Sequence, residues 1–346
     1  PRKRPIRHSR IGGATPPADP SDTKVRPMTA IGPTADLSLV ADIGGTNTRV
    51  ALARGPQVDG DSVERFRNAD YAGIAPVIAA YLEHRGVTDA EIGGVCVAGA
   101  GPVREGVVQL TNLDWRIDRA ALASVLTAEK SAVLNDLQAQ GHAIGHIAAE
   151  NLVEVLPQPD HSPRAARLVV GLGTGFNACP VFETETGRFV PPSEAGHVAL
   201  PVSVPGLVSI LDRIGDSHGF PSVEEVLSGR GVCTLHKALH GIEAAPADIM
   251  SGMEMRDAQA LETGRLFVQV MGHVIGDLAL GHLPFAGISL VGGVTRAFAP
   301  WLDEFGFASA FRDKGRFSEF MEQFGVQVVT DDYAALTGCA SFLARL

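Results

Sequence analysis

The chain has 346 residues, of which 45% are apolar and 20% charged. At about 150 residues per domain this is material for two domains with a sizeable core, and it excludes collagen-like, coiled-coil and wholly disordered readings of the body of the chain. The net charge is −10, but residues 1–35 hold seven Lys/Arg against two Asp, so the rest carries −15. So acidic a body repels a phosphate backbone, which argues against nucleic acid as a partner.

Four cysteines, Cys96, Cys179, Cys233 and Cys339, form no CxxC pair. They read as small buried hydrophobes in a reducing cytoplasm rather than as a disulfide framework or a local zinc site. The longest uncharged run, residues 278–295, contains His282, Pro284 and four glycines. It reads as a helix end, a turn and a strand, and no membrane association is expected.

Residues 1–36 are basic and proline-rich and read as a disordered tail. Order begins near Leu37. LSLVADIGGTNTRVALA (37–53) is strand, glycine turn, strand. Residues 74–84 form a helix stopped by Gly86, 92–98 a strand, 107–110 another strand and 117–127 a short helix. Residues 131–134 form a buried strand that delivers Asn135 and Asp136 to its carboxyl end. RLVVGLGTGFNACPVF (167–182) repeats the strand–glycine–strand pattern, and LVADIGGTNTRVAL can be set against LVVGLGTGFNACPV without a gap. Residues 224–240 and 255–283 read as helices, the second with interior glycines that can break it. Residues 288–291 form a strand followed by Gly292-Gly293, and Asp331 or Asp332 caps a final helix over 333–345.

Five segments carry candidate chemistry. In DIGGTNTR, Gly44 and Gly45 let backbone N–H groups approach an anion, Thr46 adds a hydroxyl donor, and Asn47 closes the turn. Asp42 at the strand end can hold Mg²⁺ through water, although a plain hairpin has the same letters. GLGTGFNA (171–178) matches GxGxxA. The dinucleotide reading needs a following helix, however, and CPVF continues as strand, so Gly173, Thr174 and Gly175 read as a second phosphate-gripping turn. No Gly-Lys dipeptide exists, which excludes a Walker A loop. In VLNDLQA, Asp136 is placed to accept a hydroxyl proton and Asn135 to fix the same substrate, or the pair simply caps a helix. In PSEAGHVAL, Glu194 and His197 flank a small-residue turn and can bond neighbouring hydroxyls of a polyol. In VEEVLSGRG, Glu224 or Glu225 opens a helix, where a carboxylate suits the dipole.

Taken in order, LVADIGGTNTRVALA, LTNLDW, LNDLQAQ, GLGTG, SEAGHV, EEVLSG, LVGGV and FRDKGRFSEF with DDYAALTG make the chain resemble the bacterial glucokinases of the actin-like ATPase superfamily over about residues 37–346. The resemblance implies an α/β, two-domain actin-like ATPase (ribonuclease H-like) fold with an interdomain cleft. Its small domain is 37–146 plus 331–346, and its large domain is 147–330. It further implies ATP-dependent phosphorylation of glucose at the 6-hydroxyl with Mg²⁺, in a homodimer.

Matched motif to motif, Asp136 is the catalytic base, and Asn135, Glu194, His197 and Glu224 hold sugar hydroxyls. Asp42 to Asn47 and Gly173 to Gly175 are the phosphate turns, and Gly292 and Gly293 lie by the adenine. Leu137-Gln138 departs from the Phe-Thr frequent in the family. The clustered-cysteine zinc motif of the related ROK kinases is absent. A kinase for fructose, mannose or an amino sugar, and a non-catalytic sugar sensor, are the competing readings of the same fold.

Overall fold

The computed structural model describes residues 37–110, 113–215 and 219–346. The expected tail over 1–36, and Thr111 and Asn112 of LTNLDW, lie outside them. Two six-stranded sheets dominate.

The first sheet comprises β1 (Leu37–Ile43), β2 (Asn47–Arg54), β3 (Gln57–Val58), β4 (Glu64–Arg67), β5 (Ile92–Gly99) and, beyond an excursion, β9. α1 (Ile74–Arg85) joins β4 to β5 and ends on Gly86 in the left-handed conformation, as expected. The excursion is a small three-stranded sheet, β6 (Val103–Arg104), β7 (Val107–Gln109) and β8 (Arg116–Asp118), followed by α2 (Arg119–Leu126). The helix expected from residue 117 therefore starts later. Ile117 is in a strand, and Asp118 caps α2 by accepting from the Ala120 N–H at 2.8 Å. β9 (Lys130–Asn135) then runs directly into α3 (Asp136–Ala143).

The second sheet takes β10 (Leu152–Leu156), β11 (Arg167–Leu172), β12 (Phe176–Thr184) and β13 (Gly187–Phe189). Four helices follow: α4 (Leu211–Gly215), α5 (Gly229–His240), α6 (Pro246–Glu254) and α7 (Ala258–His282). β14 (Ile288–Val291), α8 (Gly293–Phe298), α9 (Phe307–Arg312) and β15 (Val326–Val329) complete it, in the order β10-β15-β14-β11-β12-β13. The last helix, α10 (Ala334–Leu343), returns to the first sheet. Asp331 accepts from the Tyr333 N–H at 2.8 Å just ahead of it.

Two helices differ from expectation for clear reasons. Glu224 and Glu225 belong to a separate 3₁₀ turn, and α5 starts at Gly229, where the Ser228 hydroxyl accepts from the Gly231 N–H at 3.0 Å. The helix expected over 255–283 is a single unbroken α7 beginning at Ala258. Its glycines are contact points: a Cβ on Gly272 would lie 2.7 Å from the Ala310 Cβ, and one on Gly264 2.6 Å from the Met253 Sδ. Glycine costs this helix propensity but lets α6 and α9 approach its backbone.

The alternation of β1 sorts its side chains onto two faces. Leu39, Ala41 and Ile43 join a core with α1 and α2, whereas Val40 joins Ala98, Leu134, Leu336, Cys339 and Leu343 under α10. α3 is held between the two sheets. Leu137 packs with Val169, Cys179 and Val291 of the second sheet, and Ala139 with the α10 core. A Cβ on Gly338 would collide with the Ala139 carbonyl, so α10 and α3 cross backbone to backbone. Gln138 Nε2 donates to the Val190 carbonyl at 2.8 Å, and Arg188 Nη1 caps the far end of α3 through the His142 carbonyl at 3.0 Å. The segment after β12 thus grips both ends of the helix that follows Asp136.

Candidate active site

In the first sheet β1, β5 and β9 run parallel, and in the second β11, β14 and β15 do. Open sheets of this kind leave a crevice at the carboxyl ends of their strands. Here those ends line a cleft of about 560 Å³. β1 brings Asp42, β5 is followed by Ala100 and Gly101, β9 delivers Asn135, β11 leads into the 173–175 turn, and β14 ends at Val291 and Gly292.

Most of the expected site residues meet in this cleft. Asp136, Asn135, Glu194, His197 and Glu224 line it, as do Asp42, Gly44, Gly45, Gly173, Thr174, Gly175 and Gly292. Thr46, Asn47 and Gly293 are adjacent in sequence but do not line it.

Asp136 is the first residue of α3, half-buried. Its Oδ1 accepts from the Leu137 N–H at 2.9 Å. Burial holds its carboxyl above the usual carboxylate range, against the opposing pull of backbone N–H groups and Asn135. Asn135 is the cap of the same helix. Its Oδ1 accepts from the Leu137 N–H at 3.0 Å, its Nδ2 donates to the Gly101 carbonyl at 3.0 Å, and its own N–H is met by Gln138. The capping reading of the Asn-Asp pair is therefore correct, and it coexists with exposure to the cleft.

Asp42 has a side chain 16% exposed, with Arg49 Nη1 at 3.4 Å. Burial pushes its carboxyl up to about 6; Arg49 opposes this and the charge of Asp136 reinforces it. Burial likewise lifts the Cys179 thiol to about 12, with Asp136 adding to the effect, so the cysteine beneath the site is an inert thiol.

The first glycine turn closes on itself through the Gly44 N–H and the Asn47 carbonyl at 3.0 Å. Asn68 braces it from outside: its Nδ2 donates to the Gly44 carbonyl at 2.8 Å, and its Oδ1 accepts from the Thr48 hydroxyl at 2.8 Å. In the second turn the Gly173 N–H donates to the Gly175 carbonyl at 2.9 Å, and the Gly229 N–H to the Gly173 carbonyl at 2.8 Å. Glu224 Oε2 accepts from the Phe176 N–H at 2.8 Å, and a Cβ on Gly175 would collide with that oxygen. Gly292 takes φ +104, and a side chain there would strike the Leu172 carbonyl, so only glycine lets β14 end beside the turn.

Glu194 and His197 flank a 3₁₀ turn with His197 Nδ1 at 3.8 Å from Glu194 Oε2, both largely exposed to the cleft. Asn177 holds that turn by accepting from the Ala195 N–H at 3.0 Å.

Asn68, Asn177, Gln140 and Arg230 escape the sequence reading. Asn177 and Arg230 stand inside motifs already singled out, GLGTGFNA and EEVLSGRG, whereas Asn68 carries no local signal because it meets its turn only in the fold.

Two glycine turns facing carboxylates across a two-sheet cleft suit the class, a phosphoryl-transferring kinase of small hydroxylated substrates. The glucokinase family model matches residues 39–346. Curated relatives include the glucokinase of Pseudomonas paraeruginosa, 32% identical over 91% of this chain and 94% of that protein, and that of Pseudomonas aeruginosa, 34% identical over 89% and 95%. A crystal structure of glucokinase from an Antarctic psychrotroph superposes with a TM-score of 0.79, at 29% identity over 90% of this chain and 99% of that one. A ROK family glucokinase from Streptomyces griseus in complex with glucose and AMPPNP shares the fold, with a TM-score of 0.57 and 19% identity over 90% of this chain and all of that one. The chain belongs to the glucokinase family, sugar kinases whose activity is the phosphorylation of glucose.

Proposed function

We propose that the chain transfers the terminal phosphoryl group of ATP to the 6-hydroxyl of glucose with Asp136 as general base. The observation that carries this reading is a half-buried carboxylate at the start of α3, in one cleft with two glycine turns. Asp136 accepts the hydroxyl proton as the sugar oxygen attacks phosphorus. Asn135, Glu194, His197 and Glu224 pair with the remaining hydroxyls, which need donors and acceptors in alternation. The turns 42–47 and 173–175 hold the phosphates from opposite sides, and Gly292 and Gly293 lie by the adenine.

Two neighbouring carboxylates, both disfavoured by desolvation, fit a divalent cation. Asp42 would hold Mg²⁺ through water, and the ion would supply charge neutralisation at the phosphates. We assign residues 37–146 with 331–346 to one lobe and 147–330 to the other; the separate sheets and the packing of α10 on the first support this. Closure of the lobes on sugar would exclude water from the transferring group.

The buried thiols of Cys96, Cys179 and Cys339 suit a reducing cytoplasm. Among the described residues no helix is long and apolar enough to cross a membrane. A homodimer rests on family membership alone, and light scattering behind a sizing column tests it.

The deciding measurement is ADP release with ATP and Mg²⁺ across a sugar panel with a no-sugar blank. Fast release with glucose and weak release with fructose, mannose and amino sugars is the expected result. Preference for another sugar overturns the glucose assignment, and no release with any sugar overturns ATP as donor.

A further inference from the structure

The cleft has an unbalanced charge. Asp42, Asp136, Glu194 and Glu224 line it, and a nucleoside triphosphate would add a polyanion. Among the described lining residues a single Lys or Arg is present, Arg230. It is the second residue of α5, immediately after Gly229, whose N–H donates to the Gly173 carbonyl of the second glycine turn at 2.8 Å. The guanidinium is therefore anchored one residue from a backbone bond to the phosphate turn. Its side chain is 52% exposed and lines the cleft.

Two carboxylates aim it. Arg230 Nη2 lies 3.1 Å from Glu225 Oε1, and the Glu225 side chain is only 6% exposed. Glu224 Oε1 is more distant, at 3.9 Å. A buried carboxylate is costly without a cation, so Glu225 holds Arg230 at the cleft wall. Arginine keeps its charge throughout and presents several donors in a fork that matches phosphate oxygens. One edge can stay on Glu225 while another engages an anion.

We propose that Arg230 binds the phosphate chain of the donor nucleotide beside the second glycine turn. This rests on the ATP-dependent reading above. It makes the EEVLSGRG segment bifunctional: Glu224 serves the sugar and Arg230 the donor. It also supplies positive charge on the wall opposite Asp42.

The test compares wild type with Arg230→Gln and Arg230→Lys in the full chain, by ATP titration at saturating glucose and glucose titration at saturating ATP. Arg230→Gln should raise the KM for ATP about tenfold or more, the loss of one charge-assisted contact, and change the KM for glucose less than about twofold. Arg230→Lys keeps a cation against Glu225, guards against misfolding, and should recover part of the loss. Calorimetric binding of inorganic tripolyphosphate should weaken in Arg230→Gln, whereas adenosine binding should not. An unchanged KM for ATP with unchanged tripolyphosphate binding overturns the proposal. A rise in the KM for glucose alone also overturns it, because Arg230 would then act through Glu224. If wild type releases no ADP with glucose, the donor reading itself fails, and tripolyphosphate binding still decides the arginine.

Discussion

The two glycine hairpins share a topology but do different work. In β1–β2 four residues separate the paired Ile43 and Thr48, whereas in β11–β12 three separate Leu172 and Phe176. The ungapped match between the two segments therefore holds up to the turn and slips by one residue after it. Before the turn, Asp42 in the first hairpin stands where Gly171 stands in the second. One copy carries an acid into the cleft. The other gives up its side chain, because a Cβ on Gly171 would sit 3.0 Å from the Leu137 Cδ1 of α3. The second sheet thus makes room for the helix that presents Asp136. The braces differ too: a buried neutral amide, Asn68, supports the first turn, and a cleft-facing carboxylate, Glu224, supports the second. Only the second turn is coupled directly to a proposed sugar ligand.

The sharpest way to break this picture is at the residue both hairpins serve. Asp136→Asn keeps the shape and removes the proposed base, so kcat should fall about 10³-fold while glucose binding persists. Comparable turnover in that variant would remove Asp136 from the role. In wild type the raised carboxyl predicts that activity is lost, as pH falls, above the usual carboxylate range. A pH–rate profile from 5 to 9 reads it.

Next comes Asp42→Asn, with kcat down about a hundredfold. Its folded pKa of about 6 lies above its ordinary 3.8, so the native state binds that proton more tightly than the unfolded chain. The stability this contributes is present at low pH and lost as pH rises through 6. Asp42→Asn should therefore stabilise the fold by about 3 kcal/mol at pH 8, by about half that at pH 5 and hardly at all below the unfolded value of 3.8, as denaturant melts across that range will show.

Third is Gly175→Ala. The new Cβ displaces Glu224 Oε2 from the Phe176 N–H, and the KM for glucose should rise about tenfold with a smaller change for ATP. An equal rise in both would mean that the turn, and not the carboxylate, is what the methyl group disturbs.

Much of this arrangement was legible because it is local. Glycine turns between apolar strands, an Asn-Asp at a strand end and a Gly stop after a helix each write their cause into a few adjacent residues. What was not legible depends on partners distant in sequence. The glycines of α7 look like breaks until α6 and α9 lie against them, and Ile117 looks helical until β7 pairs with its strand. Glu224 looks like a helix start because Ser228, four residues on, is the actual cap. Gln138 looks like an odd substitution until its amide spans the Asn135 N–H and the Val190 carbonyl, linking the cap of α3 to the chain after β13.

Asn68 tests whether the two turns are energetically separate, and the effect expected is the smallest. Asn68→Ala leaves the Thr48 hydroxyl, which is fully buried, without its acceptor, and the Gly44 carbonyl without its side-chain donor. Stranding buried polar groups costs about 1–3 kcal/mol, so stability should drop by that order. The first turn then loosens on the side proposed to hold phosphate, and the KM for ATP should rise a few-fold. The second turn keeps its own bonds to Gly229 and Glu224, so the KM for glucose should stay within about twofold. Asn68→Asp separates the two bonds: it preserves the acceptor for Thr48 but turns a donor to Gly44 into a repelled oxygen. It should therefore be no better than alanine for ATP, while keeping the Thr48 contact. Should Asn68→Ala instead raise both KM values equally, the turns would be coupled through the closed cleft, and the division of labour between the hairpins would not hold.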